Sequence, residues 1–240
     1  MNNTITAAFV MQFHDGFVEA AQQKESRIES TVTSRGSITG SSFTANDMGA
    51  IEATQVTNRY GDTEWTIPDA GTRQALMSDY DVAIPIDQFD LPKLLANPQG
   101  PYQAAALAAM NRKKDAVVYA ALKGSALRKT DESGAFSGVA VPAGQIIAAG
   151  GTGFTKAKII QAKKLFRANE ADEMNGEQLY MTYDSGMLED ILSDTSLTSA
   201  DYMAVKMLQE GAVNGKWMGF NWVPYEQLSG TSTKTAVAST

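Results

Sequence analysis

Side chains able to do chemistry are sparse in this sequence. His14 is its single histidine, and cysteine is absent. Thiolate catalysis, Cys-based zinc and iron–sulfur ligation, disulfides and any site built on two imidazoles are therefore excluded. A serine nucleophile would have to borrow His14 as its base, and no G-x-S-x-G turn presents such a serine. Acidic residues gather at Glu170, Asp172 and Glu173 and again at Asp184, Glu189, Asp190 and Asp194. Calcium loops need oxygen ligands at D-x-D-x-D-G spacing, which neither group has, so both read as helix-end and surface charge. The glycine-rich AAGGTGFTK lacks the Gly-Lys-Ser/Thr of a phosphate loop and the third glycine of a dinucleotide fingerprint. It reads as a turn before a capped helix. No catalytic, metal or cofactor constellation emerges, and the expectation is a protein that is not an enzyme.

What remains is to ask which elements these residues sit on. Residues 4–25 read as an amphipathic helix capped by Thr4, with Ile5, Phe9, Phe13 and Phe17 recurring every four positions and His14 beside the stripe. From about Ile28 to Asp87 the texture turns to Ser, Thr, Gly and charged residues with scattered β-branched ones. Such strands are polar on both faces and fit a packed core poorly, so the segment reads as an arm steadied by a neighbouring subunit. Its end, Tyr80, Val82, Ile84 and Ile86, alternates as a half-buried strand should.

Asn97-Pro98 opens a long helix that ends at Gly124 as a left-handed stop, roughly 35–40 Å at 1.5 Å per residue. Leu107, Met110, Val117 and Ala121 form one apolar seam; Tyr102, Ala105, Ala109, Ala116 and Ala120 form a second of small residues. Arg112, Lys113 and Lys114 cluster near the middle. After the loop KTDESGAFSG comes a helix from a Thr155 cap to about Asn169, carrying five cations. A short buried strand follows at 178–183, then helices at Met187–Leu192 and Ala200–Gln209, the latter closed by Gly211. KWMGFNWVP reads as one aromatic strand, and the Ser/Thr/Ala tail has no amphipathic pattern.

The composition is that of an ordinary soluble protein: 240 residues, 43% hydrophobic and a net charge of −7. No apolar run approaches the roughly 18–20 residues of a membrane helix, and no signal-peptide pattern opens the chain. The charge is segregated. Residues 1–100 carry −7, residues 101–169 carry +8 and residues 170–240 carry −8. A basic centre between acidic thirds suits contact with other copies or loose contact with nucleic acid.

Several strings, in this order, resemble the major capsid proteins of tailed bacteriophages, the Hong Kong-phage type of shell protein and most closely its short-tailed-phage group. They are FVMQFHDGFVEAAQQKESRIESTV, YDVAIPIDQFD, NRKKDAVVYAALKG, GFTKAKIIQAKKLF, TSADYMAVKMLQEGAV and KWMGFNWV. The resemblance implies an α+β phage-capsid fold. Residues 1–27 would be the N-terminal arm helix, 28–87 the extended β-hairpin (E-loop) laid over a neighbour, 88–149 the peripheral domain with its spine helix, and 150–240 the axial domain and tail. Chains of that family usually run on past the aromatic strand.

The implied function is structural: self-assembly, in pentamers and hexamers, into the icosahedral shell that encloses a double-stranded DNA genome. The implied location is the virion capsid, assembled in the host bacterial cytoplasm. Scaffolding, portal and cement proteins and loosely held packaged DNA are the further partners; no membrane and no cofactor is expected. Phe9, Phe13 and Phe17 would dock the arm. Arg35, Arg59, Trp65 and Arg73 on the hairpin, with Arg112 and Lys113 on the spine, are the candidate subunit contacts. A cellular nanocompartment shell of the same fold is the nearest alternative, and a ligand-binding or enzymatic domain a more distant one.

Overall fold

The computed structural model describes residues 21–57, 59, 61, 62, 65–85, 99–171, 173–194, 211–213 and 215–226. Their regular elements are β1 (Ser42–Met48), β2 (Ala70–Leu76), α1 (Gln99–Lys123), β3 (Ala126–Lys129), β4 (Ser137–Val139), α2 (Lys156–Ala168), β5 (Tyr180–Tyr183), α3 (Ser185–Ser193), β6 (Lys216–Trp217) and β7 (Phe220–Pro224). The chain divides into two compact units, residues 1–26 with 79–115 and residues 27–78 with 116–240.

In the first unit the long helix is where its Ala, Leu and Lys content puts it. Asn97, its expected cap, lies outside the described residues, as do Phe9, Phe13, Phe17 and His14. Residues 21–25 are not helical. They run as irregular chain because helix α1 satisfies their polar groups. Arg112 donates from Nη1 to Gln22 Oε1 at 2.8 Å and to the Gln23 carbonyl at 3.1 Å. Asn111 donates to the Lys24 carbonyl at 2.9 Å. Gln23 Nε2 donates to Asp115 Oδ2 at 2.5 Å, and the Ser26 hydroxyl donates to the other oxygen of the same carboxylate. Asp115 is 1% exposed, and Ala108, two turns earlier, is the other buried residue of this stretch.

The helix therefore buries a face chosen by hydrogen bonding. The seam expected at Leu107 and Met110 is exposed. Residues 79–85 form no strand, and Tyr80, Val82 and Ile84 are exposed rather than half-buried. Tyr80 packs its ring 4.5 Å from the Lys113 ammonium, a cation–π contact that takes the place of a sheet partner. Ile86 lies outside the described residues.

A hydrogen bond to a buried carboxylate is worth about 1–3 kcal/mol, because its loss leaves charge in a site that water reaches poorly. Ser26→Ala is therefore expected to loosen the arm at residues 22–26. Limited proteolysis should cut there several times faster while melting of the second unit stays unchanged.

The second unit holds two sheets. Strands β1-β2-β3-β4 form an antiparallel meander in that spatial order. Its hairpin pairs Ser42 with Leu76 through to Met48 with Ala70 and closes where the Gly49 N–H donates to the Asp69 carbonyl at 2.7 Å. The strand-paired part of the 28–87 segment is thus Ser42–Met48 with Ala70–Leu76. Ile28, at the start of that range, is 1% exposed in the core. The β3–β4 pair replaces the plain loop expected over 129–138.

The other sheet has order β5-β7-β6, with β5 parallel and β6 antiparallel to β7. KWMGFNWVP is not one strand but a tight hairpin. Trp217 faces Phe220 across Met218 and Gly219, whose φ of 52° and 84° are the two left-handed values of a type I′ turn. Aromatic rings fill the core around this sheet. Trp222 meets Phe154, Tyr183 and Trp217 at centroid distances of 6.1, 5.8 and 5.4 Å, and Phe220 meets Phe166 at 6.0 Å. Tyr119 from the end of α1 packs on Tyr225 at 5.5 Å. Val117 and Ala121, the rest of the expected seam, are exposed.

Helices α2 and α3 lie where the sequence predicts, with two changes of detail. Thr155 caps α2 with its carbonyl, not its hydroxyl, accepting from Lys158 and Ile159 N–H groups. Gly124 follows α1 without a left-handed φ; its N–H bonds the Ala121 carbonyl at 3.2 Å. The predicted helix 200–209 lies outside the described residues; Gly211 after it does take φ +64°.

Candidate interaction surfaces

Several of the residues that looked chemical in the sequence are spent on structure, while His14 and Asp172 lie outside the described residues. Asp184 caps α3 by accepting the Met187 N–H at 2.6 Å. Asp190 accepts the Phe154 N–H at 2.6 Å, anchoring the glycine turn. Gly153 in that turn has φ +63°, and a Cβ there would lie 2.8 Å from Asp190 Oδ2, so glycine is required twice over. The Lys158 ammonium donates to the Ala149 carbonyl at 2.5 Å and also to that of Gly153. The turn is held by the helix that follows it. Among the described residues no three acidic or imidazole groups converge on a metal-sized site. No helix among them is long and apolar enough to cross a membrane.

Glu173 bridges α2 to β6. Its carboxylate accepts from Lys163 at 2.6 Å and lies 3.7 Å from Lys216. The Lys163 hydrogen bond, then a backbone hydrogen bond, hold its pKa below the ordinary 4.5; burial opposes them weakly, and the charges of Lys163 and Lys216 add to the lowering. A depressed carboxylate stabilises the fold above its unfolded pKa, and that stability is lost as pH falls through the folded value. Solvent screens this half-exposed pair, so the contribution is about 0.5 kcal/mol. Glu173→Gln is expected to lower stability by that amount at pH 7 and to match the parent in acid below the folded pKa, read by urea titration at each pH.

Beside this bridge an open groove of about 560 Å³ runs along α2, floored by Ile159, Ile160 and Met218 and rimmed by Lys163, Lys164 and Arg167. The basic helix thus presents its cations around an apolar floor.

The sequence-predicted contact residues divide by partner. Arg112 is engaged with residues 22 and 23, and Lys113 with Tyr80. Arg73 bonds Asp47 across the hairpin at 3.0 Å. Arg35 and Arg59 are exposed. Trp65 is 92% exposed, with Ile67 at 86% and Val56 at 80% on the same loop between β1 and β2. Three large apolar groups are thus left in water on one loop. Two constellations escaped the sequence reading: the Asp115 latch on residues 22–26, and a group at the loop end of the β1–β2 ladder formed by Asp47, Asp69, Gly71 and Arg128. The first could have been found by asking why an aspartate interrupts a helix so rich in alanine. The second depends on β3 pairing with β2, which no local pattern announces.

Comparison with known proteins bears on all of this. A family profile described as "Phage capsid protein" matches residues 5–240. Among solved structures, the capsid structure of the cyanophage P-SCSP1u is similar over 91% of this chain and 68% of its own, with TM-score 0.58 and 17% identity. A chain from Mycobacterium phage Che8 is similar over 90% of this chain and 74% of its own, with TM-score 0.55 and 15% identity. At these identities the likeness is one of fold. No curated protein matches the sequence.

Proposed function

Because the chain belongs to the phage capsid protein family and is a structural major capsid protein of the virion shell, we propose that it builds that shell by laying its β1–β2 hairpin over a neighbouring copy. The observation that carries this reading is the loop of the hairpin, where Trp65, Ile67 and Val56 stand in solvent. A loop that projects beyond its sheet has no core of its own to bury such side chains, so they are accounted for by a partner surface repeated around each ring. Arg35 and Arg59 are the hairpin's candidates for intersubunit ion pairs, and Phe9, Phe13 and Phe17 dock the arm. The domain roles follow the same scheme: arm over 1–27, hairpin over 28–87, peripheral domain over 88–149 and axial domain over 150–240.

The activity in this reading is self-association rather than catalysis, in pentamers and hexamers of an icosahedral shell around double-stranded DNA. Scaffolding, portal and cement proteins are its further partners. Contact with packaged DNA is loose, since Lys158 and Lys163 on the basic helix are held by the chain's own carbonyls and by Glu173. Light scattering and negative-stain microscopy of the purified chain test the proposal. Closed shells are the expected product; a strictly monomeric species under all assembly conditions, with its hairpin ordered, would overturn it.

A further inference from the structure

At the loop end of the β1–β2 ladder, where residues 49–69 emerge, one guanidinium holds both strands. Arg128 on β3 donates from Nε to Asp47 Oδ2 at 3.0 Å, at the end of β1, and from Nη2 to Asp69 Oδ2 at 3.2 Å, just before β2. Arg73 on β2 holds the same Asp47 oxygen at 3.0 Å. The ladder sets Arg73 directly opposite Arg128, where two like charges would repel. Asp47 lies between them and turns that repulsion into a bridge.

The space for the bridge is made by Gly71, which the register sets opposite Asp47. Its backbone is not in the left-handed region, so glycine is not there for its φ. A Cβ at 71 would lie 2.6 Å from Arg128 Nε and 2.7 Å from Asp47 Oδ1. The side chains of Arg128 and Asp47 are 21% and 25% exposed, so water competes only in part for the bond. A planar guanidinium reaches two carboxylates at once in a way an ammonium does not.

We propose that Arg128 is a positioning residue for shell assembly: by clasping Asp47 and Asp69 across the gap left by Gly71, it sets the direction in which the 49–69 loop of the hairpin leaves the sheet. Strand β3 is itself held between β2 and β4, so the clasp ties the base of the loop to the middle of the sheet. The inference rests on the reading that the hairpin covers a neighbour. A hairpin that must land on one site of that neighbour needs a fixed exit angle, and the ladder of a three-residue β2–β3 pairing gives little torsional stiffness by itself.

The chain has no cysteine, so Thr66→Cys on the hairpin and Glu189→Cys on α3 accept a unique pair of spin labels. On the dissociated subunit the parent should give one narrow distance distribution. In Arg128→Ala its width at least doubles, and Arg128→Lys falls between. Gly71→Ala should behave like Arg128→Ala although every charge is retained, a result that a merely Coulombic contribution to stability would not produce. Shells of these variants should be heterogeneous in size where the parent's are uniform. Parent-like distance widths in Arg128→Ala and Gly71→Ala would overturn the proposal, as would broad distances with uniform shells. Should Arg128→Ala fail to fold, Gly71→Ala and Asp69→Asn carry the same comparison. Failure of the parent to form shells would strike the hairpin reading, while the distance measurement would still decide the clasp.

Discussion

Phe220→Ala will unfold the second unit at a markedly lower temperature than the parent. Phe220 is 0% exposed, meets Phe166 edge-on at 6.0 Å and lies on the central strand of the β5-β7-β6 sheet. Truncating a buried phenylalanine costs about 3–5 kcal/mol, the sum of lost transfer energy and the cavity left behind. A domain of this size holds roughly 5–15 kcal/mol in total, so the variant loses a large share of it. At about 2–4 °C per kcal/mol the melting temperature falls by roughly 10 °C. Phe220→Leu keeps most of the volume and should lose less than half as much. The measurement is calorimetry or urea unfolding followed by tryptophan fluorescence, since Trp217 and Trp222 report on this core. A loss below about 1 kcal/mol for the alanine variant would mean that the core relaxes around the gap and that the aromatic network is not what closes the sheet.

Removing the hairpin loop should have the opposite profile, with folding intact and assembly lost. Gly49 and Asp69 are already joined by a backbone hydrogen bond at the top of the strands. A short Gly-Ser turn can replace residues 50–68 there without disturbing the ladder or the Asp69 contact. What disappears is Val56, Trp65 and Ile67, each worth about 1.5 kcal/mol or more when fully covered. Together that is on the order of a thousandfold in each intersubunit contact, since every 1.4 kcal/mol is a factor of ten. Thermal melting within a few degrees of the parent, with no closed particles by light scattering, is the expected pair of results. Closed particles at the parent's yield would show that the hairpin loop is not what holds the neighbour.

The sequence was most legible where local chemistry and final packing agree. The alanine-rich run 98–124, the basic helix after the glycine turn and the buried YMTY strand each declare themselves through composition and period. It misled where a partner far along the chain decides the outcome. Leu107 and Met110 are apolar and exposed, while Asp115 is charged and buried, because Gln23 and Ser26 bring hydrogen bonds to Asp115 and nothing in this chain covers the other face among the described residues. The same holds for Tyr80, Val82 and Ile84, whose alternation is that of a strand without a ladder to join. Met218-Gly219 is a hairpin turn that Asn-Gly would have announced; methionine in a left-handed conformation is too rare to expect. Of the candidate contact residues, Trp65 is visible in the sequence as an aromatic in polar surroundings. Arg128 is not, because its role exists only once β1, β2 and β3 lie side by side.

The parallel pairing of β5 with β7 also sets a schedule. The buried cluster draws on residues as early as Ile28 and as late as Tyr225, and its central strand is contributed near the end of that span. Contacts of such long sequence separation form slowly, because the entropy of closing the intervening chain is lost before the contacts reward it. The hairpin strands, by contrast, lie close in sequence and need no late residue. During synthesis β1 and β2 can therefore pair long before β7 is made, so a growing chain can present its exposed Trp65 while Met181 and Tyr183 still lack their neighbouring strand. Crowding of emerging chains before residue 225 has been made is therefore expected to divert material into aggregates, with translation rate and local chain density setting how much.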